Sequence, residues 1–446
     1  MSEASIVRRA SYGPSSPAVG ARGATTRSRI AEVSLELFGR VGYFDTSVDA
    51  IAKAAGVSRA TLYQYFKGKD EIFLELLNEC GSALFRVARR IGPLGPDEVG
   101  FDNLNWWLGE WSWVFDKYST MFVQWTAIAS SDTKVRPEIT RFVRGYNHRV
   151  AERLAASGLQ GMDPEVAAMI MTALVHRINL FVHTDRAYDR SAKEAVDTLS
   201  VFLQLMLFPD TPPSVLRSLA LHASADPAGD IDAVDVPPAP DVEGFSVSAR
   251  TASLSKRAVI TVNALADAGA AQFRARGYRS TSVDDIVEAA DVARGTFYKY
   301  FSDKQDLLAA VAAEIYSAGM AFADRIADVD PVAKKSTLRH WLGTYVEFYD
   351  KYSGCIEAWA EGATDDPTIV SIGENGQAQM DVGAARMLIR GPDRYPFDPV
   401  VSALILRALV TRVPQAALDL PDPIDDDDLI DVLMTCINRG FFGRAK

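Results

Sequence analysis

The stretch from Gly42-Tyr43 to Lys69 returns 235 residues later as Gly277-Tyr278 to Lys304, with 16 of 28 positions identical. A chain of 446 residues that repeats itself at this distance is built from two like domains, not from one large domain or a solenoid of short units. The repetition also runs past this stretch. Trp107-Leu108-Gly109, followed six residues on by Asp116-Lys117-Tyr118-Ser119, is matched by Trp341-Leu342-Gly343 and Asp350-Lys351-Tyr352-Ser353. Asp163-Pro164 is matched by Asp398-Pro399, and Arg177 by Arg412. Apolar residues recur at i, i+3, i+4 and i+7 almost throughout, so the expected class is all-α, two helical units on one plan.

Each repeated stretch reads as short helices. Ile30, Val33, Leu37, Phe38 and Val41 form one helical stripe, which Gly42 ends. Thr46 is expected to open a short helix with Asp49 three residues on, as in a capping box. Val48, Ile51 and Ala55 face inward, Gly56-Val57 turns the chain, and Ser58 caps a helix over 58–65. Two short helices joined by a tight turn are a helix-turn-helix, whose second helix suits the major groove of DNA. A long helix follows from about 70 to 91.

The net charge of −11 runs against nucleic-acid binding, but its distribution does not. Residues 22–69 hold eight Lys/Arg against four Asp/Glu, residues 256–304 eight against six, and the remainder is acidic. Basic units on an acidic body fit a protein that meets DNA with one face. Cys80, Cys355 and Cys436 lie far apart, which fits a reducing cytoplasm and no disulfide framework. No apolar run approaches 18 residues, so no membrane partner is expected. The five histidines are scattered, and no phosphate loop or nucleophile elbow occurs, so neither metal, cofactor nor catalysis is expected. Asp425 to Asp428 read as residues at a helix start, where the dipole favours negative charge.

The division expected is a flexible basic arm (1–24), a first DNA-binding unit (25–75) and a first effector and dimerisation region (76–225). A linker (226–245), a second DNA-binding unit (246–310) and a second effector region (311–446) follow. Residues 214–223 read as one further short helix. Asp226 to Gly244 hold six acidic residues, four prolines and no Lys or Arg, which predicts an extended linker reaching about 60 Å. In the arm, Arg8, Arg9 and Arg22 either enter the minor groove or belong to a solvated tail.

Gly42-Tyr43, Thr46, Ile51-Ala52, Ala55-Gly56-Val57-Ser58, Thr61-Leu62-Tyr63, Tyr65-Phe66 and Lys69 resemble the N-terminal signature of the TetR family of bacterial regulators. Gly277-Tyr278, Thr281, Ile286, Ala290, Val292, Thr296-Phe297-Tyr298, Tyr300-Phe301 and Lys304 resemble it a second time. The resemblance implies a transcriptional regulator acting as a repressor, whose partners are an operator in double-stranded DNA and a small-molecule effector. The candidate DNA-binding residues are Thr46, Ser58, Arg59, Ala60, Thr61, Tyr63, Gln64, Tyr65 and Lys69, with Thr281, Arg294, Gly295, Thr296, Tyr298, Lys299, Tyr300 and Lys304. Arg59 suits guanine and Gln64 adenine. The resemblance assigns phosphates to Tyr63, Tyr65 and Lys69, the tyrosines being otherwise partly core. The second unit differs on the reading face, with Gly295 for Ala60 and Lys299 for Gln64. It also lacks the cap, Ala293 for Ser58, and has Asp291 for Gly56. Either it reads a different half-site or it serves only dimerisation.

The tryptophans cluster in the matched regions. Trp107, Trp111, Phe115, Tyr118, Phe122 and Trp125 share one helix face, and Trp341, Tyr345, Phe348, Tyr352 and Trp359 the matching one. Such a stripe is either core or, as the resemblance implies, the lining of a pocket for an apolar effector, with the first half the stronger candidate. Arg177 and Arg412 either meet an acidic head group or are paired on the surface. The resemblance also makes helices 164–184 and 194–208, with 399–418 and 426–441, the helices of a dimer's four-helix bundle. One chain then forms an intramolecular pseudo-dimer or, alternatively, a homodimer of chains.

Overall fold

The computed structural model describes residues 21–129, 133–216, 226–331, 334–360, 364–390, 398–418, 420, 422 and 424–443. These form twenty helices, and no strand occurs among the described residues. The first half holds α1 (Ala21–Val41), α2 (Val48–Ala55), α3 (Arg59–Tyr65), α4 (Lys69–Arg90) and α5 (Glu98–Lys117). It continues with α6 (Ser119–Ala129), α7 (Arg136–Ala155), α8 (Pro164–His183), α9 (Ala192–Leu207) and α10 (Pro213–Leu216). After α11 (Pro227–Asp232), the second half holds α12 (Val247–Thr251), α13 (Lys256–Arg276), α14 (Val283–Ala289), α15 (Arg294–Tyr300) and α16 (Lys304–Asp328). It ends with α17 (Lys335–Ala360), α18 (Pro367–Leu388), α19 (Pro399–Ala417) and α20 (Asp426–Phe442).

The repeated Asp-Pro pairs explain where the long buried helices start. Asp163 accepts hydrogen bonds from the Glu165 and Val166 amides at 2.9 and 3.1 Å, and Asp398 from Val400 and Val401 at 2.8 and 2.9 Å. In both, proline takes the first helical position, where no amide hydrogen is needed. The two helices so placed, α8 and α19, pack on each other, α9 packs on α20, and α9 also meets α19. Gly440 makes the second contact close, since a Cβ there would lie 2.2 Å from the Phe202 ring. The four helices that the resemblance assigns to a dimer bundle thus meet within one chain.

Three expectations change. The first helix begins at Ala21, so the last residues of the proposed arm are helical, while Arg8 and Arg9 lie outside the described residues. Residues 226–244 are not simply extended: α11 packs on α18 and α19, Ile231 is buried, and Asn375 Nδ2 donates to the Pro237 carbonyl. Ile231, Val234 and Val236, with the Pro237 carbonyl, lay an acidic segment against these helices. Finally, α8, α16 and α19 are long and apolar enough to cross a bilayer by length and composition. In α8 and α19, 78% of that apolar stretch is buried by helix packing, and in α16 50%. The short helix expected over 214–223 is seen as α10 at its start, and residues 217–225 lie outside the described residues.

Candidate DNA-reading and effector sites

The two helix-turn-helix units are built alike from unlike parts. In the first, Gly56 takes φ 70° and its amide closes α2, while the Ser58 hydroxyl caps α3 by accepting from the Thr61 amide at 3.0 Å. In the second, Asp291 holds the same left-handed turn at φ 53°, and Ala293 caps α15 with no side-chain bond. The cap of α2 falls one residue later than expected. Ser47, not Thr46, accepts from the Ala50 amide at 3.1 Å.

Both recognition helices offer the same device to solvent. The Arg59 guanidinium is held by Asp49 of α2 at 2.9 Å and lies over the Tyr63 ring, 5.6 Å from its centroid. Arg294 is held by Asp284 of α14 at 2.7 Å and lies over Tyr298 at 5.8 Å. Arg59, Tyr63, Arg294 and Tyr298 are exposed, as are Ala60, Gln64, Gly295 and Lys299, while Thr61 and Thr296 are half-buried. Each arginine is thus placed by the same two neighbours, an aspartate of the preceding helix and a tyrosine one turn on. Asp49 and Asp284 are absent from the sequence candidates. Their identity across the repeat, ten residues before each arginine, is the signal that marks them.

Four of the expected contact residues have hydrogen-bond partners within the chain. Thr46 and Thr281 are buried, and their hydroxyls donate to the Gly42 and Gly277 carbonyls at 2.6 and 2.9 Å, which locks the turn before α2 and α14. The Lys69 ammonium donates to the Tyr43, Phe44 and Thr46 carbonyls at 2.8, 3.0 and 3.1 Å and lies over the Tyr43 ring. Lys304 does the same to Tyr278 and Thr281 at 2.8 and 2.9 Å. Partial burial holds both ammonium groups below the usual lysine range. Their work is to tie the first turn of α4 and α16 to the reading unit. Tyr65 and Tyr300 are half-buried, and their carbonyls accept from Arg27 and Arg250. Those two arginines are not equivalent in the repeat. Arg27 lies in α1, whereas Arg250 arrives from α12, a separate short helix, yet each covers a phenylalanine ring, Phe66 and Phe301.

In the first half the aromatic stripe is core. Trp107, Trp111, Phe115 and Phe122 are at most 1% exposed, and Phe115 stacks on Phe122 at 4.8 Å. His176 fills the remaining space among Trp111, Phe115, Phe122 and Trp125. Tyr118 is buried with its hydroxyl 3.4 Å from Glu79, and Trp125 is half-buried against Phe142. The stripe expected to line the stronger pocket is here packed ring against ring.

A cavity lies instead in the second half, at the seam with α8. It is a half-open cleft, about 850 Å³ when the space running out into solvent is counted. Of the candidates, Tyr345, Phe348, Trp359 and Arg177 line it. Trp341 does not: it stacks on Tyr345 at 4.9 Å and donates to the Phe322 carbonyl. Tyr352 lies outside the lining, beside Lys351, and Arg412 pairs with Glu357 at 3.7 Å. Phe181 and Arg186 from the first half, and Arg407 from α19, complete the wall. Positions equivalent in the repeat explain the difference between halves. Gly319, Ile356 and Thr411 stand where the first half has Leu84, Phe122 and His176.

Two tandem helix-turn-helix units on helical bodies define the class of the chain. The description of bacterial regulatory proteins of the tetR family matches twice, over residues 30–76 and 265–311. A putative mycofactocin biosynthesis transcriptional regulator of Mycobacterium tuberculosis is 46% identical over 59 residues, 13% of this chain and 30% of that protein. The fatty acid metabolism regulator protein of Bacillus subtilis is 25% identical over 170 residues, 36% of this chain and 86% of that one. The fatty acid degradation regulator FadR of Bacillus halodurans superposes with a TM-score of 0.34 at 18% identity, over 40% of this chain and 94% of that one. The first of these likenesses thus spans less than a third of the relative's own length. The chain thus carries two N-terminal units of TetR type in tandem, over residues 30–76 and 265–311.

Proposed function

We propose that this chain is a cytoplasmic transcriptional repressor whose two readers take different half-sites of one asymmetric operator, and that an apolar small-molecule effector releases it. The observation that carries the reading is the arginine–aspartate–tyrosine device, present on both recognition helices beside unlike neighbours, Ala60 and Gln64 against Gly295 and Lys299. The shared arginines make a base contact common to both half-sites, and the unlike neighbours discriminate between the half-sites. The cavity of the second half is the effector site. Its occupant acts through α16, which lines the cavity at Ile315, Tyr316 and Gly319 and ties the second reader through Lys304. The effector must bind the form unfit for DNA more tightly than the fit one. One chain supplies the helices of a whole bundle, so the free protein is an intramolecular pseudo-dimer of 48.6 kDa; light scattering at twice that mass speaks against it.

A second reading, in which only the first unit reads DNA, is favoured by the missing cap at Ala293 and the left-handed Asp291. Substituting Arg59→Ala and Arg294→Ala separately, on operator DNA found by genome-wide footprinting, decides between them. Two active readers lose about 1–3 kcal/mol each, at different half-sites. If Arg294→Ala leaves affinity and sequence preference unchanged, the second unit is idle.

A further inference from the structure

The cavity has a charged end and an apolar body. Phe181, Phe348, Trp359, Ile372 and Met380 supply apolar wall, while Arg177, Arg186 and Arg407 bring three guanidinium groups against one carboxylate, Glu357. The acids nearby are already engaged. Asp381 lies 2.9 Å from Arg407 and accepts from the Tyr188 hydroxyl at 2.8 Å, and Glu357 lies 3.7 Å from Arg412. Arg407 donates besides to Gln377 at 2.9 Å. Arg186 donates to the Ala360 carbonyl at 2.7 Å, and among the described residues it has no carboxylate in ion-pair contact. Burial and the charge of Arg407 hold the Arg186 guanidinium below its usual range, with Glu374 acting weakly the other way. Arg186 thus presents a partly buried guanidinium without an ion-pair partner among the described residues, beside the already paired Arg407, and such a charge is costly unless an anion meets it.

We infer that this cavity binds one amphipathic anion per chain, with its acidic head at Arg186 and Arg407, between the halves, and its apolar body among the aromatics of the second half. The inference rests on the reading of the cavity as the effector site and narrows it to a ligand class. The first half takes no second molecule, because Leu84, Phe122 and His176 fill the equivalent space and Thr172 stands where the cavity has Arg407. The head therefore contacts both halves at once, and one ligand serves both units.

The test is titration calorimetry of the full chain without DNA, using dodecanoate, dodecanol and dodecyltrimethylammonium as probes. Expected is one dodecanoate per chain, bound at least 10-fold more tightly than dodecanol, with the cation weakest. Arg186→Gln should weaken dodecanoate at least 10-fold and leave dodecanol within about 2-fold. Gly319→Leu should abolish uptake of both. A Cβ at Gly319 meets no atom within 4 Å, and leucine is the first half's own residue there, so this variant should fold, which a melting curve checks. Equal binding of acid and alcohol, two sites per chain, or an Arg186→Gln variant with unchanged dodecanoate affinity overturns the inference. Since no DNA is present, those results are separate from the effector reading, which fails instead if bound dodecanoate does not alter operator affinity.

Discussion

Arg279 of the second reading unit stands 3.1 Å from Asp45 of the first, and its guanidinium also covers the Phe44 ring at 5.3 Å from the centroid. Residues 44 and 279 are equivalent in the repeat, so Phe44 and Arg279 meet near the pseudo-symmetry axis of the two readers. The ion pair is partly exposed, 29% and 62% for the two side chains, and such pairs contribute about 0–1 kcal/mol to stability. Its effect is on separation instead. Asp45→Lys, which sets two cations together, should move the melting temperature little but broaden the preference for half-site spacing. Gel-shift titrations over operators with the half-sites moved base pair by base pair read this directly. An unchanged spacing profile means the contact does not set the distance between readers.

Lys69 is expected to stabilise the first reader without touching DNA. Its ammonium satisfies three carbonyls, of Tyr43, Phe44 and Thr46, so Lys69→Met leaves three acceptors without that donor. A loss of about 1–3 kcal/mol in unfolding free energy should follow. The salt dependence of operator binding discriminates the alternative. A lysine on a phosphate lowers the slope of log K against log salt by about 1 when removed, whereas here the slope should stay as it is.

The local grammar of the readers was legible in the sequence, because caps and turns depend on residues one to three positions apart. Ser58 caps α3, Gly56 takes the left-handed turn, and the loss of the cap at Ala293 is read correctly from the repeat. Lys69 was not legible. An ammonium beside a helix-turn-helix looks the same in sequence whether it meets a phosphate or the chain's own carbonyls. The cavity was hidden for another reason. Both aromatic stripes have helical spacing, and only the volumes brought opposite them, Gly319 against Leu84 and Thr411 against His176, decide which is closed.

The second reader should be stabilised by giving it the first reader's cap. Ala293 already has the extended backbone of a cap residue, φ −70° and ψ 144°, so the hydroxyl of Ala293→Ser can accept from the Thr296 amide, which now donates to the Ala293 carbonyl at 2.8 Å. The gain expected is about 1 kcal/mol. Hydrogen exchange of the α15 amides should slow accordingly, while α3 amides stay unchanged. If α15 exchanges no more slowly in the variant, the cap is not what limits this helix.

His176 gives the chain a stability that falls in acid. It is buried among four aromatic rings, and burial, followed by the charges of Arg412 and Arg177, holds its imidazole down at about 3. In the unfolded chain the same group titrates at about 6.5. Above that pH both states carry neutral imidazole and the contribution is fully present. Between about 6.5 and 3 the unfolded state takes up a proton that the folded state refuses, so stability falls as pH falls, by at most about 1.4 kcal/mol per unit. His176→Leu keeps an apolar side chain among the rings and removes the titration. From pH 6.5 to 4.5 the wild type should therefore lose about 2–3 kcal/mol more than the variant in urea unfolding. Parallel stability profiles for the two proteins over that range would show that the folded state accommodates the imidazolium, through water or a shift of Arg412 away from the ring.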